Sequence, residues 1–216
     1  MNHAPCFSTF SIVALDPETG DLGVATQSKY LAVGSVVPWA RFSAGAIATQ
    51  AWANASFGPR GLDLLEADVG AIDTLERLIE SDPGRTSRQV AVVDLDGTAA
   101  AFTGEDCQEW AGHVTGPGFV CLGNILAGEA VVNAMAETLE APGEEGFAET
   151  LLSVLAAGQA AGGDRRGRQS AALLVAREGG GCGGTSDYLA DLRVDDHTDP
   201  IEELQRLYRL HARLNP

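Results

Sequence analysis

TFSIVALDPETGDLGVATQ, residues 9–27, is the stretch that decides the fold. Two mostly apolar segments, residues 9–15 and 22–27, each have the length of one strand, and the residues between them, DPETGD, favour a reversal of the chain. The pattern predicts an antiparallel hairpin. Apolar residues occupy both the odd-numbered and the even-numbered positions of the two segments. We therefore expect other layers to cover both faces of the hairpin.

The rest of the chain continues as groups of strands separated by pairs of helices. Strand groups separated by helix pairs argue against a doubly wound parallel sheet, in which single strands and single helices alternate. We therefore predict an α+β protein: a four-layer α-β-β-α sandwich of two mostly antiparallel sheets, formed by one domain over residues 9–216 after an N-terminal extension of residues 1–8. The predicted strands after the hairpin are 35–39, 44–50, 89–94, 98–103, 119–124, 171–176 and 188–194, and the predicted helices are 58–65, 71–79, 127–139, 146–160 and 201–214.

Charge and composition exclude several classes of function. The 216 residues carry 30 acidic and 14 basic side chains, for a formal net charge of −16, which repels nucleic acids and anionic membrane surfaces. The chain has no long apolar run and no signal-peptide pattern, so we expect a cytoplasmic protein. The four cysteines and four histidines are scattered, and no glycine-rich fingerprint opens a helix, so we expect reduced thiols, no metal and no cofactor.

The sequence AGGDRRGRQS, residues 161–170, places many polar side chains in a glycine-rich loop before an apolar strand. Glycines allow the backbone to turn tightly, and a strand gives such a loop a rigid base. Asp164, Arg166, Gln169 and Ser170 are candidate site residues, and the three arginines of the loop suit a substrate that carries a carboxylate. The alternative is a structural turn with a surface ion pair.

Hydroxyl and amide side chains also stand at the ends of the predicted strands. Thr9 opens the first strand, and a hydroxyl nucleophile needs a base together with donors for the developing oxyanion. The base could be Lys29 or a free α-amine. Alternatively, Thr9 is an ordinary β-branched strand residue, and His113 is either an acid–base residue or a packed one. Candidate donors are Gln27, Ser28, Gln50, Asn54 and Asn124.

Short motifs spread over residues 9–177 point to a family. They are TFSIVA (9–14), LGVA (22–25), VG (33–34), VPWA (37–40), ATQA (48–51), Asn54, GP (58–59), GL (61–62), RQ (88–89), TG (103–104), WAGH (110–113), GN (123–124), AGGD (161–164), RG (166–167) and QS (169–170). Together they resemble the family catalogued as domain of unknown function 1028, which is placed among the N-terminal-nucleophile (Ntn) hydrolases.

The resemblance implies the four-layer sandwich and hydrolysis of an amide bond in a small or peptide-like substrate. Thr9 would be the nucleophile, with its own α-amine as base once residues 1–8 are removed. Gln27, Asn124 and Asp164 would be the other catalytic residues. The substrate would be bound by Thr49, Gln50, Asn54, Arg166, Gln169 and Ser170. The fold often assembles, so we expect a homo-oligomer. The alternative is a non-catalytic ligand-binding or scaffold protein that keeps the Ntn fold and is linked to cell-wall metabolism.

Overall fold

A computed structural model describes residues 9–141 and 145–215. Over these residues the chain forms ten β-strands and five α-helices. The strands are β1 (Thr9–Leu15), β2 (Leu22–Ser28), β3 (Pro38–Arg41), β4 (Gly45–Ala51), β5 (Arg88–Asp94), β6 (Ala99–Thr103), β7 (Gly112–Gly116), β8 (Phe119–Asn124), β9 (Ser170–Ala176) and β10 (Tyr188–Val194). The helices are α1 (Phe57–Glu66), α2 (Ala71–Glu80), α3 (Ala130–Glu140), α4 (Phe147–Ala160) and α5 (Pro200–Leu214).

The predicted hairpin lies at the centre of the larger sheet. β1 pairs antiparallel with β2, with Thr9 opposite Ser28 and Leu15 opposite Leu22, and Asp16 accepts the bonds that close the turn. Sheet 1 has six strands in the order β10-β9-β2-β1-β8-β7, and sheet 2 has four in the order β3-β4-β5-β6. All neighbouring strands of both sheets are antiparallel, as predicted.

Three apolar cores separate four layers and confirm the predicted sandwich. The first core lies between sheet 1 and helices α3, α4 and α5, and includes Phe10 and Leu155. The second lies between the two sheets and includes Val13 and Val93. The third lies between sheet 2 and helices α1 and α2. Both faces of the hairpin are therefore covered, because its alternating side chains enter the first and second cores in turn.

Glycines where the helices pack on the sheets let these layers approach closely. A Cβ atom added at Gly23 of β2 would come within 2.4 Å of Leu151 and 2.8 Å of Phe147, both on α4. Likewise, a Cβ at Gly58 of α1 would meet the ring of Trp39 at 2.1 Å. The glycines thus set the distance between layers.

The strand predicted at residues 35–39 differs from the one observed. Residues 33–35 form a short 3-10 turn, and β3 begins only at Pro38. The backbone N–H groups of Val36 and Val37 both bond the carbonyl of Val33, which holds the chain in the turn. Proline has no N–H to give to a ladder, and the first residue of an edge strand tolerates that loss.

Candidate active site

Four polar side chains form a row across the four central strands of sheet 1, at the end of each strand. In the strand register, Asn124 of β8 lies opposite Thr9 of β1, Thr9 lies opposite Ser28 of β2, and Ser28 lies opposite Ser170 of β9. All four residues are buried, and Thr9 Oγ1 lies 3.3 Å from Ser28 Oγ. Register partners on antiparallel strands share a face, so the row points as one group toward sheet 2.

Two glutamines of sheet 2 contact this row from across the gap between the sheets. Gln50 of β4 accepts a 2.6 Å hydrogen bond from Ser11 Oγ at Oε1, and its Nε2 donates to the Thr9 carbonyl at 3.2 Å. Gln89 of β5 accepts a 2.8 Å bond from Gln50 Nε2 and a 3.1 Å bond from Asn124 Nδ2. The network is fully buried, so each of these bonds is shielded from competing water.

The glycine-rich loop is joined to the same end of the sandwich. Asp164 is 3% exposed, and its Oδ2 accepts the backbone N–H of Lys29, the residue after Ser28, at 2.9 Å. Its Oδ1 accepts the N–H of Arg166 at 2.8 Å, and the Arg166 side chain forms an ion pair with the same carboxylate. The loop backbone also pairs with the segment after β8, between Leu126 and Asp164. The structure therefore brings Thr9, Asn124 and Asp164 to one end of the sandwich.

The remaining loop candidates bond to neighbouring segments. Ser170 Oγ donates to the Tyr30 carbonyl and accepts the N–H of Val33, and Gln169 Nε2 donates to Asp196 at 3.1 Å. Arg168 pairs with Asp199, which precedes α5. These bonds hold the segment after β2 and the start of α5 against the loop, so the surface ion pair of the alternative interpretation is present beside the buried Asp164 contacts.

Thr49 of β4 and Asn54 of the loop before α1 lie on the other side of sheet 2. Thr49 Oγ1 donates to the carbonyl of Asn54, and Asn54 Nδ2 donates to Asp82 Oδ2 at 2.9 Å. Asp82 also accepts a 2.8 Å bond from Arg88 Nε. That hydrogen bond does most to lower the pKa of Asp82 from 3.8 to about 2, against the opposing effect of burial. Thr49 and Asn54 are thus separated from Thr9 by the thickness of sheet 2.

Gln27 also lies apart from the row. Its register partners, Phe10 and Ala171, belong to the core under the helices, so the Gln27 side chain is on the helix-facing side of sheet 1. The residue is fully buried, and within the part of the chain that the structure describes neither amide atom has a hydrogen-bond partner. The structure therefore does not bring Gln27 together with Thr9 and Asn124.

Sequence reasoning missed Gln89, which has no neighbouring motif of its own beyond the RQ pair. The sequence does carry a signal for a polar patch on one face of the first two strands. Thr9 and Ser11 are two residues apart, as are Thr26 and Ser28, so each pair lies on one face of its strand. Ser11 and Thr26 lie opposite each other, with their hydroxyl oxygens 2.8 Å apart. They form a second polar row behind the first.

The titratable side chains of His113 and Lys29 form hydrogen bonds near the row. His113 Nδ1 lies 2.9 Å from Thr103 Oγ1, which in turn accepts a 3.0 Å bond from Gln89, and burial lowers the pKa of His113. Lys29 Nζ donates to the carbonyl of Arg168 at 3.2 Å. Among residues 9–141 and 145–215, no group of acidic, histidine and cysteine side chains has an arrangement that would hold a metal ion.

A family model matches residues 9–204, and its description is "Family of unknown function (DUF1028)". The chain belongs to the DUF1028 family. The crystal structure of protein SPO2555 from Silicibacter pomeroyi, described with the same family model, is similar at 36% sequence identity and a TM-score of 0.86, over 94% of this chain and 85% of that one. No curated protein matches. Within the described residues of this DUF1028 protein, no helix is both long and apolar enough to span a membrane.

Proposed function

We propose that this DUF1028 protein is an Ntn-type amidohydrolase that cleaves an amide bond in a small or peptide-like substrate. The observation that carries the proposal is the position of Thr9, whose hydroxyl lies beside Ser28 in the buried polar row, with Asp164 bonded to Lys29, the residue that follows β2. Buried, hydrogen-bonded hydroxyls that converge with amides at a strand end are the groups that acyl transfer requires.

The proposed reaction begins when Thr9 Oγ attacks the carbonyl carbon of the amide. The Oγ–C bond forms as the hydroxyl proton passes to the α-amine of Thr9, and that amine then protonates the departing nitrogen as the C–N bond breaks. Water hydrolyses the resulting ester by the same route and restores the hydroxyl. An α-amine with an ordinary pKa of about 7.7–8.0 is suited to this exchange near neutral pH.

Because the reaction needs a base, the proposed activity depends on whether residues 1–8 remain attached to Thr9. A peptide-bonded nitrogen at Thr9 cannot accept a proton, so we propose that the active form begins at Thr9. Lys29 is the only lysine of the chain, and its Nζ is held 3.2 Å from the carbonyl of Arg168 in the loop, whereas the α-amine belongs to the same residue as the attacking hydroxyl. The α-amine is therefore the better candidate for the base.

The neighbours of Thr9 have supporting roles in this proposal. Gln50 holds the Thr9 carbonyl, and Asn124 lies directly opposite Thr9, where an amide N–H can face a developing oxyanion. Asp164 fixes the end of β2 by accepting the N–H of Lys29. Of the three loop arginines, Arg165 is exposed and has no ion-pair partner within the described residues, so it is the one best placed to bind a substrate carboxylate.

A β-lactone reagent tests the nucleophile without knowledge of the substrate. The full chain is folded with a site-specific protease sequence at residues 5–8 and is then cut before Thr9; we refer to the product as the trimmed protein. Attack by Thr9 Oγ on the lactone carbonyl opens the ring and leaves an ester that retains the full mass of the reagent. We expect one adduct on the trimmed protein, mapped to Thr9.

Two preparations serve as controls for this test. The uncut chain has no free amine at Thr9 to act as the base, so we expect no adduct on it. Thr9→Ala in the trimmed protein removes the attacking oxygen and should abolish labelling. If the trimmed wild-type protein gains no adduct, or gains it equally with Thr9→Ala, the nucleophile assignment is wrong and a binding or scaffold role takes its place.

A further inference from the structure

Gln89 is the best-connected side chain of the buried network, although it does not touch the Thr9 hydroxyl. It is fully buried in β5, opposite Gln50 of β4 and Thr103 of β6. Its Nε2 lies 2.8 Å from the Gly123 carbonyl, 3.1 Å from the Gly112 carbonyl and 3.0 Å from Thr103 Oγ1. Its Oε1 receives the amides of Gln50 and Asn124 at 2.8 and 3.1 Å.

The carbonyl oxygens around Gln89 determine which way its amide points. The carbonyls of Gly112 and Gly123 can only accept hydrogen bonds, so the NH₂ group of Gln89 must face them. Its Oε1 then faces the opposite way, toward Gln50 and Asn124. An oxygen of this kind can only accept, so each of those two amides must turn its own NH₂ group toward Gln89.

The same constraint continues from Gln50 to Thr9. With its NH₂ group toward Gln89, Gln50 donates its second proton to the Thr9 carbonyl and leaves Oε1 to accept from Ser11. A flipped Gln50 would set its oxygen against the Thr9 carbonyl oxygen and against Gln89 Oε1, two repulsive contacts in a buried site. One amide on sheet 2 thus selects one orientation for the two amides that flank the start of β1.

We propose that Gln89 is a positioning residue for the reaction at Thr9: it fixes the orientation of the Gln50 and Asn124 amides, and through Gln50 the backbone that carries the nucleophile. This inference rests on the proposed function. In a purely structural role, Gln89 would only hold the two sheets together through its bonds to Gly112 and Gly123. A positioning role instead depends on the two bonds that Gln89 accepts.

Rates of β-lactone acylation, measured against reagent concentration in the trimmed protein, separate these two roles. Gln89→Met keeps a similar volume but offers the two amides only a weakly accepting thioether sulfur. We expect its maximal acylation rate to fall by about tenfold or more, while the half-saturating reagent concentration stays within about twofold, because orientation rather than reagent binding is lost. Thr103→Val is the matched control, since it removes one partner of Gln89 but leaves the bonds from Gln50 and Asn124 in place; its maximal rate should stay within about twofold of wild type.

Gln89→Glu provides a second test that does not depend on the folding of the Met variant. When it is protonated, the introduced carboxyl group keeps one acceptor for the flanking amides and one O–H donor for a carbonyl, whereas the ionised form repels both glycine carbonyls. We therefore expect the ratio of the variant's rate to the wild-type rate at the same pH to rise as the pH falls. Circular dichroism on every variant confirms that the compared proteins are folded.

The outcomes distinguish the inference from the function on which it rests. If the trimmed wild-type protein is acylated, any one of three results overturns the positioning role alone. These results are an unchanged rate in Gln89→Met, an equal loss of rate in Thr103→Val, and a pH-independent rate ratio in Gln89→Glu. If the trimmed wild-type protein is not acylated at Thr9, the proposed function has failed and the role of Gln89 fails with it.

Discussion

Asn54 was expected at the substrate site, yet the structure places it beside Asp82, and Asp82→Asn tests that placement. Asp82 is 7% exposed and accepts bonds from Arg88 Nε at 2.8 Å, Asn54 Nδ2 at 2.9 Å and the Gly84 N–H at 2.8 Å. These three bonds join the loop after β4, the turn after α2 and the start of β5. The substitution keeps the shape of Asp82 and removes its charge, with an NH₂ group facing donors that are already present.

The lowered pKa of Asp82 gives the expected size of the loss in the free energy of unfolding. A change from 3.8 to about 2 corresponds to about 2 kcal/mol of stability at neutral pH, at about 1.4 kcal/mol per unit. Because the folded-state pKa is lower than the unfolded one, this stability is fully present above pH 4, falls to about half near pH 3 and is lost as the pH drops through about 2.

Urea denaturation of wild type and Asp82→Asn from pH 7 down to pH 2.5 measures this dependence. We expect Asp82→Asn to lower the free energy of unfolding by about 2 kcal/mol or more at pH 7, with the difference shrinking below pH 4. Arg88→Met is a companion variant, since it should raise the pKa of Asp82 and flatten the same profile. A difference between wild type and Asp82→Asn that is constant down to pH 2.5 would refute the assigned hydrogen bonds.

Three further predictions concern stability and packing. Gln27→Met should raise the free energy of unfolding by about 1–3 kcal/mol in thermal or urea melts, because it removes a buried amide without partners in the described structure, and a loss of stability would contradict that. Gly104→Ala should cost about 1–3 kcal/mol, since its Cβ would lie 2.2 Å from a backbone carbonyl oxygen, whereas Gly128→Ala, with nothing within 4 Å, should stay within about 0.5 kcal/mol. A thiol reagent followed by peptide mapping should label exposed Cys182 in the native protein and Cys121 only after unfolding, because burial keeps the Cys121 thiol protonated by raising its pKa.

The sequence was sufficient to predict the layers of the fold. Apolar residues at both sets of alternating positions in β1 and β2 indicated a sheet covered on both faces. The DPETGD turn indicated the hairpin. These signals are local, since they depend on strand periodicity and turn chemistry alone. The strand predicted at 35–39 was less predictable, because the valines there favour a strand, whereas the chain forms a short turn at 33–35 and β3 begins only at Pro38.

The site depended on information that a single sequence does not contain. The row from Asn124 to Ser170 exists only because four strands pair in one register, and a shift of one residue would turn every member away from sheet 2. Gln27 shows the limit of reasoning from strand ends, since its parity relative to Thr26 and Ser28 already placed it on the other face. The contacts of Gln89 depend on the packing of sheet 2 against the row, which strand patterns alone do not predict.

Amide hydrolysis by the trimmed protein tests the account most directly. Trimmed wild type and trimmed Thr9→Ala are incubated with a panel of small and peptide-like amides, with and without a free carboxylate, and the released amine is quantified. We expect wild type to release amine from at least one amide and Thr9→Ala to release none. Absence of release from the whole panel, or equal release by the two proteins, would contradict the assignment of Thr9 as the nucleophile.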